Sequence, residues 1–347
     1  MTMWCVPITL LCLFAPFFPV LLLFPKFKNW LKNEYAALST GQFITGTVFF
    51  GASVTEYGDD ISELADKRCM AMINHLGLMD HFIVMSTMRN YGDVIKRWTF
   101  FIFDKWLYTP CGLLWYIHGS IFVDDSNRKD RETMMKRVRN HIDKYYYKLD
   151  LNWFLVYPEG SRLFKVQAGS DRFAEKNNLP KLRHCAYPKL GAVNAILQKL
   201  GPDSENPEKS RNGKGDPIKY IIDATLGYKG GIVPTVGDGL YDTWPRKDSK
   251  DFAINFKIHK ITADMLTDDG IKEFTFKLFQ EKDQLLDEFY QTGVFPGEAR
   301  KCKLPTFNEI AVHQTFFVVF YSIFHYFVIW PAFKLVMYFL TYPIFHY

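Results

Sequence analysis

Apolar residues are concentrated at the two ends of the chain, and shorter apolar runs alternate with amphipathic stretches between them. Residues 4–24 form a run of about twenty residues without a charge, which is the length that crosses the hydrocarbon core of a bilayer. We predict a retained transmembrane helix here, because the alternative, a signal peptide, needs a basic N-terminal region and a small-residue cleavage site. Lys26, Lys28 and Lys32 follow directly, so the positive-inside tendency predicts that the next segment faces the cytosol.

Two further apolar stretches bear on membrane attachment. Residues 43–54 are too few to span a bilayer, and they fit either an interfacial helix or an ordinary core helix. Residues 315–340 are almost wholly apolar but contain Pro331, which predicts a helical hairpin, or one span followed by an interfacial helix. We therefore expect an N-terminal membrane segment at 1–58, a central domain at 59–306 and a C-terminal membrane hairpin at 307–347.

The pattern between these ends predicts an α/β domain, because short apolar runs alternate with amphipathic helical periods. The predicted strands are 68–73, 120–123, 153–157, 185–187 and 220–225. The predicted helices are 130–147, 191–200 and 271–290. Residues 201–216 have the polar, glycine-containing composition of a surface loop.

Composition argues against several classes of function. The net charge is +5 without a concentrated basic stripe, which disfavours nucleic-acid binding and suits anionic headgroups and cofactor phosphates. The cysteines have neither paired nor metal-ligand spacing, so the sequence predicts no disulfide framework and no metal site. They are Cys5, Cys12, Cys69, Cys111, Cys185 and Cys302.

The first candidate site follows the strand predicted at 68–73 and reads NHLGLMD at 74–80. His75 can take a proton from a hydroxyl at neutral pH, and a carboxylate on its other ring nitrogen would fix the tautomer. Residues five apart point about 140° apart on one helix, so His75 reaches Asp80 only from a loop before the helix. We therefore expect Gly77 to permit a turn and Asp80 to lie in the first helical turn, with backbone amides near Gly77 available to an oxyanion. The alternative is a surface histidine followed by an ordinary helix N-cap.

The second candidate site is YPEGSR at 157–162, which follows the strand predicted at 153–157. Glu159 suits either hydrogen bonding to a glycerol hydroxyl or holding the loop in place. Gly160 permits close backbone approach, and Arg162 offers a guanidinium fork to a phosphate. The alternative is a plain strand-to-loop turn with a surface arginine. A serine hydrolase is disfavoured because Ser161 lacks the flanking glycines of the GxSxG elbow.

In this order, each after a strand, the two segments resemble the NHxxxxD and FPEGTR-like signatures of the glycerophospholipid acyltransferase family. Residues 156–191 are similar to the lysophosphatidylglycerol acyltransferase subgroup, above all in AEKNNLP and YPKLGA. The similarity covers most of the chain from about Arg68 onward. It implies a mixed sheet flanked by helices, acyl-CoA as co-substrate without a bound cofactor, a lysophospholipid acceptor and residence in the endoplasmic-reticulum membrane.

The resemblance also implies roles for individual residues. His75 matches the family's general base and Asp80 its partner, and the transfer is direct, without a covalent enzyme intermediate. The residues that it assigns to substrate binding are Asn74, Gly77, Glu159, Gly160, Ser161, Arg162 and Pro188.

One position departs from the family's pattern. The intermediate motif of the family resembles GxFFxxR, whereas residues 119–125 read GSIFVDD and place Asp125 at the arginine position. Arg128, Arg131 or Arg162 are the candidates to supply the missing charge, and the headgroup preference stays open. We expect an enzyme that re-acylates lysophosphatidylglycerol or a related lysophospholipid. The alternative is a catalytically weak membrane scaffold or lipid-binding subunit, in which the apolar ends bind a membrane-protein partner or a second copy.

Overall fold

The computed structural model describes residues 18–123 and 131–345, and eight strands of this part form one mixed sheet. The strands are β1 (Ser53–Gly58), β2 (Cys69–Ile73), β3 (Trp98–Phe103), β4 (Ile121–Val123), β5 (Trp153–Val156), β6 (Tyr220–Tyr228), β7 (Asp251–Lys260) and β8 (Arg300–Lys301). The helices are α1 (Phe18–Leu23), α2 (Pro25–Phe49), α3 (Asp80–Met88), α4 (Pro110–His118), α5 (Arg131–Tyr145), α6 (Leu163–Lys176), α7 (Gly191–Leu200), α8 (Val236–Tyr241), α9 (Asp268–Thr292), α10 (Phe307–Phe324) and α11 (Trp330–Phe345).

The strand order is β4-β3-β5-β2-β6-β7-β1-β8, with the five strands from β4 to β6 parallel to one another. Strand β7 runs antiparallel to β6 and parallel to β1. All residues of β2 and β5 are buried, because helices cover both faces of a parallel sheet. The carboxyl ends of β2, β5 and β6 therefore meet at one edge of the sheet, which we call the carboxyl edge, and β7 and β1 begin there.

Side chains of β2 alternate between two apolar layers, as the pleat of a strand requires. Ala71 and Ile73 face the layer that contains α3, whereas Met70 and Met72 face the layer that contains α7 and α9. The loop that follows β2 thus leaves the sheet between two packed layers of helices.

The apolar stretch at 43–54 forms the end of α2 and the start of β1. Phe43 and Phe50 pack on Phe82 of α3, with ring centroids 5.4 and 5.5 Å apart. This packing agrees with the second alternative for residues 43–54, a helix in the core. Because β1 pairs with β7, the sheet begins before residue 59, which is the predicted start of the central domain.

Four of the five predicted strands are present, as β2, β4, β5 and β6. The strand predicted at 185–187 is wrong, because the three amides of this segment donate to side-chain oxygens instead of a neighbouring strand. The helix predicted at 191–200 is confirmed as α7, and the one at 271–290 lies within α9. Strands β1, β3, β7 and β8 were not predicted. In β1 the apolar alternation is hidden by Glu56, which is buried and accepts a hydrogen bond from the Tyr91 hydroxyl at 2.5 Å.

The two membrane predictions have different outcomes. Most of the predicted N-terminal span, residues 1–17, lies outside the described residues, and the part within them forms α1. In the described part of the chain, one helix, Phe307–Tyr338, is long and apolar enough to cross a membrane, and only 6% of its most apolar window is buried. It corrects the predicted hairpin, because α10 continues into α11 through a π-helical turn at His325–Ile329 without a loop. The wider turn lies just before Pro331, which has no backbone N–H to donate within a regular helix.

Candidate active site

The loop after β2 is held against β6 by Asn74. The Asn74 side chain donates to the Leu226 carbonyl at 3.1 Å and accepts from the Leu226 amide at 2.7 Å. Asn74 is fully buried, so its amide fixes where the loop leaves the sheet. The family resemblance assigns Asn74 to substrate binding, but the oxygen and nitrogen of its side chain are engaged by the backbone of β6.

His75 lies in this loop, and Asp80 is the first residue of α3, as the sequence analysis required for the two to meet. The distance between His75 Nδ1 and Asp80 Oδ2 is 2.8 Å. The carboxylate also accepts from the amides of Leu76 and Gly77 at 2.7 and 3.0 Å, and from the Tyr228 hydroxyl at 2.5 Å. Four donors therefore surround a carboxylate that has no exposed surface.

This arrangement decides which ring nitrogen of His75 acts as a base. The carboxylate of Asp80 is an acceptor, so the proton of the neutral ring is on Nδ1 and the lone pair is on Nε2. The side chain of His75 is 14% exposed, whereas Asp80 is inaccessible. Substrate can therefore reach the histidine without reaching its carboxylate partner.

The expectation that amides near Gly77 serve an oxyanion is wrong for two of them. Leu76 and Gly77 both donate to Asp80 Oδ2, so their N–H groups are already used. Gly77 has a different reason to be glycine: a Cβ there would lie 2.6 Å from Val233 Cγ1. The turn at Gly77 thus admits close packing of the loop that follows β6.

Glu159, at the end of β5, joins two loops of the site. Its Oε1 accepts from the His75 amide at 2.7 Å, and its Oε2 accepts from the Ala186 amide at 3.0 Å. Burial raises the pKa of Glu159 to about 8, although both amides act in the opposite direction. With both oxygens engaged and 1% of the residue exposed, Glu159 holds the loops, as one of the two sequence alternatives proposed.

The turn after Glu159 leads into α6 directly beside His75. Gly160 has φ +78°, a left-handed conformation, and a Cβ there would lie 3.0 Å from Lys189 Nζ. Ser161 and Arg162 follow and are half-buried. The Leu163 amide then donates to the His75 carbonyl at 2.8 Å, which brings the N-terminal end of α6 to the histidine. The guanidinium of Arg162 lies 5.1 Å from the centre of the Phe164 ring.

The segment around Pro188 is fixed by hydrogen bonds from both sides. Asp283 of α9 accepts from three successive amides, those of residues 183–185. Ala186 donates to Glu159, and the Lys189 amide donates to the Pro158 carbonyl at 2.7 Å. The predicted residue Pro188 therefore lies beside the second candidate loop, in a segment without regular secondary structure.

Three aromatic rings to which the sequence analysis gave no role adjoin the pair, and only Tyr157 belongs to one of its two candidate segments. The His75 ring lies 4.6 Å from that of Tyr157, whose hydroxyl is 3.3 Å from His81 Nδ1. Burial lowers the pKa of His81 to about 4, which keeps it neutral at pH 7. Burial, and then the charge of Asp80, raise the pKa of Tyr228 well above its usual range, so its hydroxyl stays a donor. Tyr228 is the last residue of β6, at the carboxyl edge. Because sites in α/β folds form at the carboxyl ends of strands, its position after an apolar run was the signal that could have indicated it.

Lys282 was also missed, and it lies beneath the site. It is 1% exposed, and its ammonium donates to the carbonyls of Met72 and Ala224 at 3.3 and 2.7 Å and forms an ion pair with Asp223. Met72 is two residues before Asn74 and Ala224 is in the middle of β6, so the ammonium supports the end of β2 and the part of β6 beside it. The helical period of α9 places Lys282 on the buried face, between Phe279 and Leu286, and a lysine on that stripe was the available signal; its partners come from β2 and β6.

The family's intermediate motif is only partly described. Gly119 ends α4 and residues 121–123 form β4, whereas Asp125 and Arg128 lie outside the described residues. Among residues 18–123 and 131–345, no group of three or more histidine, cysteine, aspartate or glutamate side chains is placed to hold a metal ion.

Comparisons with known proteins agree with the geometry. The family described as Acyltransferase matches residues 54–203, and the one described as Acyltransferase C-terminus matches residues 241–318. A putative 1-acyl-sn-glycerol-3-phosphate acyltransferase of Caenorhabditis elegans is 38% identical over 92% of this chain and 82% of its own length. Acyl-CoA:lysophosphatidylglycerol acyltransferase 1 of Mus musculus is 29% identical over 72% of this chain and 68% of its own length.

A solved structure is also similar, at a lower level. The crystal structure of the 1-acyl-sn-glycerophosphate acyltransferase PlsC from Thermotoga maritima is 13% identical and covers 81% of this chain and 95% of that chain, with a TM-score of 0.39. This likeness is too slight to carry an argument about the site.

Proposed function

Because the chain belongs to the glycerolipid acyltransferase family, we propose that it transfers a fatty acyl group from acyl-CoA to a lysophospholipid, with His75 as general base. The observation that carries the proposal is the His75 Nδ1 to Asp80 Oδ2 contact of 2.8 Å, which leaves Nε2 as the basic nitrogen. The proposed acceptor is lysophosphatidylglycerol or a related lysophospholipid, since a relative named for that acceptor is 29% identical to the chain.

The proposed reaction is a direct transfer. Nε2 of His75 removes the proton from the free hydroxyl of the acceptor as its oxygen attacks the thioester carbonyl. The carbon–sulfur bond then breaks, and the imidazolium returns its proton to the departing CoA thiolate. Asp80 stabilises the imidazolium in between, and its own four donors keep it in place.

The other assigned residues have supporting roles in this proposal. Glu159 holds the His75 loop against the segment that contains Pro188. Arg162, at the start of α6, is the proposed cation for the acceptor phosphate, because its guanidinium fork suits that group. Ser161 and Gly160 give that turn its shape, and no bound metal or prosthetic group takes part.

We place the reaction in the endoplasmic-reticulum membrane, with the site facing the cytosol. The support is the apolar helix Phe307–Tyr338 and the location of acyl-CoA synthesis implied by the family resemblance. Cell fractionation followed by protease protection of an epitope inserted at residue 213, in the exposed loop before β6, tests both parts. Protection of that loop in sealed microsomes would contradict the orientation.

The decisive experiment is product analysis by mass spectrometry. Purified full-length protein in detergent is offered several acyl-CoAs and a panel of lysophospholipids, together with His75→Ala and His184→Ala. His184 is a matched control because it also contacts an aspartate, Asp287, at 3.1 Å. We expect acylated product from the wild type and from His184→Ala, and none above background from His75→Ala. Absence of product from folded wild-type protein across the panel would favour the scaffold alternative.

A further inference from the structure

A second histidine lies beside the candidate dyad, and the transfer described above gives it no role. His81 is the second residue of α3, directly after Asp80, and it is partly buried. The centres of the His75 and His81 rings are 5.7 Å apart. The ring of Tyr157 adjoins both, with centroid distances of 4.6 Å to His75 and 5.5 Å to His81. The three rings therefore form one cluster that includes the candidate base.

The hydroxyl of Tyr157 decides which nitrogen of His81 carries the proton. It lies 3.3 Å from Nδ1 of His81, and this hydroxyl has no other hydrogen bond within residues 18–123 and 131–345. Burial, and then the charge of Asp80, raise the pKa of Tyr157 well above its usual range, so the hydroxyl keeps its proton and donates it to Nδ1. Burial lowers the pKa of His81 to about 4, so its ring is neutral at pH 7 and its single proton is on Nε2.

Nε2 of His81 is then a donor that no protein group uses. In the described parts of the chain this nitrogen has no hydrogen-bond acceptor, since the contact of the His81 ring with Tyr157 is made by Nδ1. The amides of Leu76 and Gly77, which follow His75 in the loop, both donate to Asp80. Of these three N–H groups, only that of His81 remains for a substrate.

We propose that His81 donates its Nε2–H to the carbonyl oxygen of the acyl thioester and stabilises the oxyanion that forms during transfer. The inference rests on the proposed function, because it adds a residue to the reaction in which His75 is the base. In the tetrahedral intermediate the acceptor oxygen and the oxyanion are bonded to the same carbon, so hydrogen bonds of about 3 Å must reach them from neighbouring groups. Two imidazole rings whose centres are 5.7 Å apart are close enough to hold both oxygens.

The hydrogen bond of His81 strengthens as charge moves onto the carbonyl oxygen. When the acceptor oxygen bonds to the thioester carbon, the electron pair of the C=O π bond moves to the carbonyl oxygen, and the acceptor's proton moves to Nε2 of His75. When the intermediate collapses, that electron pair forms the C=O bond again and the carbon–sulfur bond breaks. Sulfur leaves as a thiolate and takes the proton from His75, whereas His81 keeps its own proton throughout.

Two properties suit His81 to a carbonyl group rather than to a phosphate. A neutral donor stabilises the transition state most where charge develops only during the reaction, whereas a phosphate is charged before the reaction starts. His81 also lies in the first turn of α3, where the helix dipole favours a negative charge nearby and favours a neutral imidazole. A neutral imidazole in such a position can polarise a substrate carbonyl.

Two substitutions separate the donor from the shape of the ring. His81→Phe keeps a planar ring without a donor, and His81→Gln places an amide N–H near the position of Nε2. With saturating acyl-CoA and lysophospholipid, we expect kcat of His81→Phe to fall about 10²–10³-fold with little change in KM, and His81→Gln to recover about tenfold or more of that loss. The matched control is His141→Phe, because His141 is also partly buried beside a tyrosine, with its ring centre 4.8 Å from that of Tyr145. We expect the control to leave kcat unchanged.

Binding of hexadecyl-CoA, a thioether without the carbonyl group, distinguishes lost chemistry from a damaged site. We expect the Kd to be the same for the wild type and His81→Phe, because the hydrogen bond requires a carbonyl oxygen. A kcat of His81→Phe within about tenfold of the wild type, or no recovery in His81→Gln, would overturn the proposal. Weaker binding of hexadecyl-CoA in proportion to the lost activity would overturn it as well, since His81 would then act through the fold.

Nitrogen NMR of protein that is isotope-labelled at histidine tests the tautomer without turnover. The signals that are missing from His81→Gln identify His81. At pH 7 we expect a protonated Nε2 and an unprotonated Nδ1, and a proton on Nδ1 or on both nitrogens would overturn the proposal. An inactive wild type would refute the proposed function and this inference together, whereas an active wild type with unchanged kcat in His81→Phe would refute only the role of His81.

Discussion

Asp80→Asn separates the charge of the candidate dyad from its geometry. Oδ2 accepts from His75 and from two amides, whereas Oδ1 accepts only from the Tyr228 hydroxyl. The asparagine oxygen will therefore take the Oδ2 position, and its NH₂ group will face Tyr228. A hydroxyl can accept as well as donate, so Tyr228 rotates its proton away and the loop keeps its shape.

The size of the effect follows from the charge that is lost. When His75 becomes an imidazolium during transfer, the carboxylate stabilises it at a charge separation of about 4 Å. At an effective dielectric constant of about 20, this attraction is on the order of 4 kcal/mol, which corresponds to about 10³-fold in rate. The asparagine still accepts from Nδ1, so the tautomer is retained and the predicted loss is in the charge alone.

The assay is initial-rate product formation with saturating acyl-CoA and lysophospholipid. We expect kcat to fall about 10³-fold, with KM values within a few-fold of the wild type and a melting temperature lowered only slightly. Asp80→Ala is the comparison variant, because it removes the acceptor of four donors and should destabilise the loop as well. A kcat for Asp80→Asn within tenfold of the wild type, in folded protein, would refute the role that we give to the carboxylate.

Three further changes test the parts that support the dyad. Glu159→Gln sets an NH₂ group against the amide of His75 or Ala186, so it should lower stability by about 1–3 kcal/mol in chemical denaturation. Because the pKa of Glu159 is raised from 4.5 to about 8, the folded state binds more protons than the unfolded state between these pH values. The stability of the wild type should therefore fall as the pH rises from 4.5 to about 8, and the glutamine variant should lack this dependence. The same pH dependence in both proteins would contradict the raised pKa of Glu159. Lys282→Met leaves Asp223 buried without its partner and should lower the free energy of unfolding by about 3–5 kcal/mol. The control Lys257→Met should lower it by at most about 1 kcal/mol, because the pair of Lys257 with Glu281 is exposed. Similar losses of stability for the two variants in thermal unfolding would contradict the support that we assign to Lys282. Gly160→Ala places a Cβ at φ +78° and should destabilise by about 1 kcal/mol, whereas Gly169→Ala, in α6 with open space around it, should stabilise by a similar amount.

The candidate dyad shows what can be predicted from residues that are close together in the sequence. His75 and Asp80 are five residues apart, and the helix repeat alone required a loop at one residue and a helix start at the other, which the structure confirms. By contrast, Tyr228 is 148 residues away from Asp80 in the chain, and no periodicity connects them. Its contribution became visible only when the order of the strands brought β6 next to β2.

The errors have the same origin. The segment at 185–187 is apolar enough for a strand, but its amides donate to the carboxylates of Glu159 and Asp283 and are not available to a neighbouring strand. The sequence predicts free amides at the Gly77 turn, whereas the amide of Gly77 donates to Asp80 and the side chain of Val233 lies where a Cβ of residue 77 would be. In each case the partner that decides the outcome lies in another part of the chain.

The sequence was sufficient to predict the α/β class, the strand ends that carry the two motifs and the apolar character of the C-terminal stretch, because these depend on the spacing of neighbouring residues. The packing of the sheet and helices set what each polar group bonds to: Asn74 and Glu159 hold loops, and Lys282 lies buried against β2 and β6. Hydrogen bonds and burial are satisfied between segments that are distant in the chain, and only the packed sheet sets which of those segments meet.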